Sequence, residues 1–551
     1  MRQEETGISD NHNRTAGKKS ANAQKKRRNS TGPALKKAGG GRTSAHTTEK
    51  GRALKDEREI VLLALLSHEK NDTFSNVLVR QTLDACGDRS TAEKAFIKRL
   101  LEGVIERKTE LDARIESFTG RSVTRLHPVV HQILRMGIYQ IYYMDAVPDS
   151  AACNESVRLA RRHGPARLSG FVNGVLRNAA REAAADKKEG AFPAVKRDAQ
   201  GTVKDGSAYE AAAAQETAES RPGPADPVQR LSLTYSMPPW LVSMWMEQLG
   251  AEETEKLLDA LMEIRPVSVR LSGRLTENER EDLLAKLRTA GVEIEKGRWL
   301  SACLHLRRTS DLRRLPGFSQ GLWTVQDESS MLAVEAAGLK GGETVLDICA
   351  APGGKSFYAA DRLQTLRKDK GRQGIVYSYD LTRRKTDRIR EGAERLGLDN
   401  ICVGERDARN FFAQDAGKAD LVLCDLPCSG LGVIGKKRDI KYRASREGLD
   451  SLQQLQRQIL VNAVRYLKAG GVLIYSTCTI NRAENEDNAA WIEEKLGLEP
   501  ENLAGYVPDD LPGIEKNRVQ LLPHVHGTDG FFISRFRKAG RDPEDRNTIN
   551  E

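Results

Sequence analysis

Between about residues 320 and 538, short apolar runs alternate with stretches of helical length, and this alternation restricts the chain more than any other feature. The runs lie at 344–348, 375–379, 401–403, 421–424 and 472–476. A last one at 531–534 follows the turn Thr528-Asp529-Gly530. Strands joined through helices predict a doubly wound, Rossmann-like α/β sheet. Such a sheet binds ligands outside the carboxyl ends of its strands. Each of the first four runs ends in, or is followed by, an acidic residue: Asp347, Asp380, Asp407 and Asp425. Carboxylates lining one crevice suit a ligand rich in hydroxyl and amino groups.

The first strand runs into Cys349-Ala350-Ala351-Pro352-Gly353-Gly354-Lys355-Ser356, a tight turn ahead of a helix. Small residues let the backbone approach a ligand closely, and a helix N-terminus favours a carboxylate or phosphate. A purely structural turn explains Pro-Gly-Gly equally well. A dinucleotide site needs G-x-G-x-x-G and an acid about 20 residues on. That glycine spacing is absent, and Asp380 lies 33 positions after Asp347. A nucleoside-type ligand such as S-adenosylmethionine fits better, with its ribose hydroxyls on Asp380 and its adenine amino group facing Asp407.

Two cysteine motifs sharpen this reading. Asp425-Leu426-Pro427-Cys428-Ser429-Gly430 follows the fourth strand, and Tyr475-Ser476-Thr477-Cys478-Thr479 follows the fifth. Those strands are neighbours in such a sheet, so both thiols reach one crevice. A lone buried cysteine is usually an inert small hydrophobe; two at ligand-end turns, one beside a carboxylate, call for chemistry. C5 of cytosine is a poor nucleophile. A thiolate adding to C6 pushes electron density onto C5, which can then attack a sulfonium methyl group, and loss of the C5 proton and of the thiol restores the ring. The thiol must be activated by its surroundings, and a carboxyl group, Asp425, is needed near N3.

The rest of the chain divides by composition. Residues 1–52 are polar and basic, include Lys25-Lys26-Arg27-Arg28, and are expected to form a disordered tail. A helical domain is expected over 53–184. Phe96, Ile97, Leu100, Leu101, Val104 and Ile105 recur on one helix face, which Leu111 and Ile115 continue. Residues 185–225 read as a flexible linker or insertion. Residues 226–318 read as a small α/β domain, with helices around 238–264 and 276–289 about a β-like stretch at 266–271. The catalytic domain is set at 319–540, with a tail at 541–551. Lys and Arg outnumber Asp and Glu by 87 to 77, a net charge of +10 that suits a polyanion. The eight cysteines form no zinc-like pairs, since the C-x3-C of Cys424 and Cys428 has no matching partner. No metal is expected. Neither a membrane-spanning run nor a secretory signal is visible, so a cytoplasmic protein with reduced thiols is expected.

Residues 347–355, Pro427-Cys428-Ser429-Gly430 with Gly432-Val433-Ile434 and Asp439-Ile440-Lys441, and the Cys478 motif with Glu484-Asn485-Glu486 behind it resemble the RNA (cytosine-C5) methyltransferases of the Nol1/Nop2/Sun type. The helical half resembles the NusB-like RNA-binding domain. Asn173-Gly174-Val175-Leu176-Arg177-Asn178 looks like its closing helix, and residues 151–162 look like the helix before it. The combination resembles the bacterial 16S ribosomal RNA methyltransferases of the Sun/Fmu type over roughly 55–183 and 226–538. The resemblance implies cofactor contacts from Cys349, Ala350, Ala351, Pro352, Gly353, Gly354 and Lys355, with Asp380, Asp407 and Asp425. It implies Cys478 as nucleophile and Cys428 as the thiol that assists product release. Leu426 and Arg438 depart from the Ala and Pro common in the family, which bears on loop packing beside the base.

The expected partner is 16S ribosomal RNA, unassembled or in an early small subunit, with no membrane and no DNA. The target base must be single-stranded or flipped out, because the A-form groove hides its C5 edge. Lys436, Lys437, Arg438 and Lys441 are expected either to contact phosphates nearby or to form a solvated loop. Three alternatives stand beside this reading. They are the same chemistry on transfer RNA, a non-catalytic NusB-like assembly factor, and methylation of an exocyclic amine, which would leave Cys478 without a purpose.

Overall fold

Residues 56–71, 73–189, 226–309, 311–366 and 371–540 are described by the structure, a computed structural model. The expected basic tail, the expected C-terminal tail and residues 190–225 of the expected linker lie outside the described residues.

The N-terminal unit is helical: α1 (Glu57–Asn71), α2 (Ser75–Ala85), α3 (Thr91–Glu106), α4 (Lys108–Thr119), α5 (Pro128–Tyr143), α6 (Asp149–His163) and α7 (Ser169–Glu189). A capping box between Ser90 and Glu93 starts α3, and its apolar stripe Ile97, Leu100, Leu101, Val104 and Ile105 is buried. The stripe predicted to run on through Leu111 and Ile115 is interrupted at Arg107, and α4 carries those two residues. Arg107 lies at the break in a buried cluster, 2.8 Å from Glu110, which also pairs with Arg114 at 3.0 Å. Helix α7 continues to Glu189, so the expected linker begins as helix.

Helices α8 (Pro227–Thr234), α9 (Pro239–Leu249) and α10 (Ala251–Met262) come next. The sequence groups them with the small α/β domain. In the structure Leu231, Trp245, Leu257 and Leu261 share a core with Leu431, Ile434, Ile440 and Leu449, so these helices pack on the segment that follows Cys428. The small sheet contains β1 (Val267–Leu271), β2 (Glu293–Lys296), β3 (Cys303–Arg307) and β4 (Trp323–Val325), with α11 (Glu277–Thr289) between β1 and β2. It is antiparallel in the order β2-β3-β1-β4, and its edge strand β4 lies beyond residue 318.

The large sheet follows α12 (Glu328–Glu335). Its parallel part is β5 (Thr344–Asp347), α13 (Gly354–Thr365), β6 (Ile375–Asp380), α14 (Arg383–Leu396), β7 (Ile401–Glu405), β8 (Ala419–Asp425), α15 (Ile440–Arg443), α16 (Arg446–Tyr466) and β9 (Leu467–Thr477). After α17 (Glu486–Leu496) come β10 (Glu499–Pro500), β11 (Ile514–Glu515), β12 (Arg518–Leu521), α18 (Pro523–His526) and β13 (Phe531–Arg537). The order is β11-β12-β13-β9-β8-β5-β6-β7, with β10 on β13. Apolar cores lie on both faces, one with α12 to α14 and one with α16 and α17, as the doubly wound reading requires. The six expected strands are all present. The chain runs outward from β5 through β6 to β7, then crosses back to β8 and β9 on the other side of β5. That reversal is a topological switch point, where ligands bind in open α/β sheets. Asp347 and Asp425 end the two strands that flank it. Buried Arg270 of β1 pairs with Asp361 of α13 at 2.7 Å and anchors the small sheet to the large one. Among the described residues no helix is long and apolar enough to cross a membrane.

Candidate active site

At the end of β5, Asp347 is buried. Its Oδ2 accepts a 2.7 Å hydrogen bond from the Ser356 hydroxyl, and its Oδ1 has no partner in the protein. Burial pushes this carboxyl up to about 7. The turn that follows contains a cis Ala351-Pro352 bond, and Gly353 has φ 110°. A Cβ on Gly353 would lie 2.3 Å from the Phe357 ring, so the turn excludes any side chain there. Asp380, buried at the end of β6, accepts from the Ala351 N–H at 2.9 Å and the Leu381 N–H at 2.7 Å, and pairs with Lys385 at 2.8 Å. It thereby fixes the turn from below. Burial pushes the Cys349 thiol up, and Asp347, Asp380 and Asp425 add to the effect.

Lys355 reaches across the switch point. Its Nζ lies 2.7 Å from Asp425 and donates to the Ser330 hydroxyl at 2.7 Å. Asp425 also accepts from Ser476 of β9 at 3.1 Å. Asp407, the remaining predicted carboxylate, is engaged by its neighbour Arg409 at 2.6 Å, and those hydrogen bonds hold its carboxyl below the ordinary range.

The two predicted thiols meet. Cys428 and Cys478 have their Sγ atoms 3.2 Å apart, and the Cys478 N–H points to the Cys428 sulfur at 3.3 Å. Their shared hydrogen bond raises Cys428 and lowers Cys478. Burial and Asp425 oppose the lowering of Cys478, while Lys437 and Lys355 favour it. The turns are fixed by backbone. Gly432 donates to the Cys478 carbonyl at 3.0 Å and accepts from Gly530 at 2.9 Å. A Cβ at Gly432 would come 1.9 Å from the Gly530 oxygen. The Trp245 indole N–H, 2.9 Å from the Ile480 carbonyl, holds the other turn.

The four cations after Cys428 differ from expectation. Lys436 is held by Asp327 at 2.5 Å and Asp529 at 2.7 Å, and Arg438 pairs with Glu106 of α3. Lys441 is fully buried, donates to the Tyr235 carbonyl at 3.3 Å, and is pushed down to about 7 by burial. Long-range acids and a buried carbonyl have claimed these three, leaving Lys437 exposed. Asp439 in the same segment accepts from the Ser75 N–H at 3.0 Å and the Ser75 hydroxyl at 2.5 Å at the start of α2. Tyr442 donates to the Glu106 carbonyl at 2.7 Å.

Sequence reasoning missed Glu484, a fully buried carboxylate that touches both cysteine turns. Its one signal was its position just behind the Cys478 motif. Also unforeseen is a cluster of Cys303, His305 and Glu328, with ligand atoms within 4.8 Å of one another. Glu328 there accepts the backbone N–H groups of Arg298, Trp299 and Leu300, at 3.2, 2.8 and 2.8 Å, and so braces a loop.

Comparison with known proteins bears on this arrangement. Residues 335–537 match the family described as 16S rRNA methyltransferase RsmB/F. Residues 55–181 match the NusB family, and 237–313 match the ferredoxin-like domain of RsmF/B-like methyltransferases. The probable ribosomal RNA small subunit methyltransferase B of Bacillus subtilis is 35% identical over 88% of this chain and 99% of its own length. The chain belongs to the 16S rRNA methyltransferase RsmB/F family. A second member, the ribosomal RNA small subunit methyltransferase B of Vibrio cholerae, is 29% identical over 80% of this chain and 89% of its own. The crystal structure of PH0851 has the same fold, with TM-score 0.68 and 22% identity over 88% of this chain and all of that one. As a methyltransferase of this family the chain uses S-adenosylmethionine. The crevice fits that molecule: the buried Asp347 Oδ1 lacks a donor, and the turn after β5 bends back through Gly353 at φ 110°.

Proposed function

We propose that this chain methylates C5 of a cytosine in 16S ribosomal RNA, with Cys478 bonded covalently to C6 during the reaction and Cys428 assisting release. The observation that carries the reading is the thiol pair, 3.2 Å apart beyond the ends of the adjacent parallel strands β8 and β9. A binding module has no use for it.

The Cys478 thiolate adds to C6 and moves electron density onto C5. When bound, the cofactor supplies an electrophilic methyl group on its sulfonium. C5 then gives its proton to a base, and the C6–S bond breaks with the electron pair returning to Cys478. Cys428 donates its thiol proton to the departing sulfur. A proton shared between the Asp425 carboxyl group and N3 holds the base as charge develops, and Lys355 at 2.7 Å keeps Asp425 in position. Asp380 serves the ribose hydroxyls, and the turn from Cys349 to Lys355 receives the rest of the cofactor. Asp407 serves the adenine amino group, exchanging part of its bond with Arg409.

The relatives are named as methyltransferases of small-subunit ribosomal RNA, which supports the substrate class. The NusB match supports an RNA-gripping role for the helical unit at 53–184, working with 226–318 while 319–540 takes the flipped base.

The test is methyl transfer from labelled S-adenosylmethionine to unmodified small-subunit ribosomal RNA. Wild type should yield labelled 5-methylcytosine, Cys478→Ala none, and Cys428→Ala a trapped protein–RNA adduct. Full activity of Cys478→Ala would overturn the covalent route. Transfer to transfer RNA alone would move the substrate, and RNA binding without transfer would favour an assembly factor.

A further inference from the structure

Glu484 carries a carboxylate with no exposure to solvent. A charge in such a position is costly unless several donors meet it. Four do. Oε2 accepts from the Ser429 N–H at 2.9 Å and from Gln456 at 2.9 Å, and Oε1 accepts from the Ser429 hydroxyl at 2.6 Å and from Asn481 at 3.0 Å. Ser429 is the residue after Cys428, and Asn481 lies three residues beyond Cys478. Gln456, on α16, also donates to the Pro427 carbonyl at 2.9 Å. Both thiol turns and the helix behind them therefore converge on one carboxylate. The Ser429 and Thr479 hydroxyls add a direct link of 2.6 Å between the turns, and the Tyr475 hydroxyl holds the Glu484 carbonyl from beneath.

We propose that Glu484 is a positioning residue for the thiol pair, fixing the Cys428 turn against the Cys478 turn and setting its carboxylate on the Cys428 side of the pair. The proposal rests on the reading of Cys478 as nucleophile. Two chemically identical thiols in contact need an asymmetric surrounding if one is to attack and the other to donate. The groups facing Cys428 are Cys478, Glu484 and Asp425, which set two carboxylates against it. Those facing Cys478 are Cys428, Asp425, Lys437 and Lys355, which set two cations in its favour against one carboxylate. Glu484 faces Cys428 through Ser429, so its charge acts on the thiol that must stay protonated. A carboxylate that merely braced the turns would leave the order of thiol ionisation untouched when neutralised.

The experiment is alkylation of the full chain by iodoacetamide across pH, with Cys428 and Cys478 quantified separately by peptide mass spectrometry. In wild type, Cys478 should react over a lower pH range than Cys428. In Glu484→Gln the Cys428 midpoint should move down, raising its rate at pH 7 about tenfold per pH unit moved, with a smaller change at Cys478. An unchanged Cys428 profile in a Glu484→Gln protein of unchanged melting temperature overturns the proposal. Ser429→Ala is the second variant. It removes the hydroxyl link and keeps the charge, so the thiol order should persist while kcat falls. A reversed order in wild type or in Ser429→Ala also overturns the assignment. Alkylation needs no methyl transfer, so absence of transfer with this order intact counts against the proposed function and not against Glu484.

Discussion

Asp347 accepts one hydrogen bond from Ser356, 2.7 Å away, on one oxygen and nothing on the other. Burial has raised its carboxyl to about 7 from 3.8. For an acid raised on folding, the stabilisation is fully present below the unfolded value and is lost as pH rises through the folded one. Asp347→Asn should therefore gain stability relative to wild type between pH 4 and 7, by about 2–4 kcal/mol in the free protein. Denaturant melts of both proteins at pH 5 and pH 8 measure it. A difference that does not change with pH would contradict the assignment.

Lys441 gives the mirror case. Burial lowers it to about 7 from 10.5, so its charged form is penalised at and below pH 7, and the penalty fades as pH rises towards 10.5. Lys441→Met, similar in volume, should be favoured over wild type most strongly at pH 7, and the advantage should shrink by up to about 4 kcal/mol towards pH 10. The Tyr235 carbonyl loses its partner at every pH, so only the pH dependence of the difference is diagnostic. Paired melts across that range read it directly.

The pair of Arg270 and Asp361 is buried on both sides. Asp361 also accepts from the Gly273 N–H at 2.8 Å. Arg270→Ala leaves the buried carboxylate with Arg274 at 3.7 Å as its remaining cation and should cost about 3 kcal/mol. Replacing both partners with apolar residues should recover much of that loss. Denaturant midpoints of the single and double variants test the non-additivity.

Gly432→Ala should impair catalysis more than folding. Its Cβ meets the Gly530 carbonyl at 1.9 Å, backbone that no rotamer change can relieve. The Cys428 turn must shift, and a displacement of about 1 Å at a reacting group costs on the order of 100-fold in rate. Single-turnover methyl transfer beside the melting temperature distinguishes this from general destabilisation; full activity would show that the turn tolerates the shift.

Much of this was legible in the sequence for identifiable reasons. Strands β5 and β8 are buried on both faces, so they read as unbroken apolar runs. The thiols were legible because each follows a strand end, and strand adjacency brings them together. The hairpin of β11 and β12 was not, because its short strands alternate with charged residues and carry no apolar run. The break at Arg107 and the fate of Arg438 depend on tertiary pairing. Arg438 finds Glu106 from 332 positions away, a distance over which linear sequence carries no signal. Glu484 stood in the motif behind Cys478, but its role depends on four donors that only the fold brings to it.

The clasp between Asp439 and Ser75, with Arg438 and Tyr442 on Glu106, makes the helical unit a fixed arm of the catalytic loop. The reach from that arm to the two sulfurs is then set by the protein itself and not by a slack tether. An RNA lying on both would be measured against a ruler. A nucleotide presented at the wrong spacing would be refused by geometry, even where its base fitted the crevice.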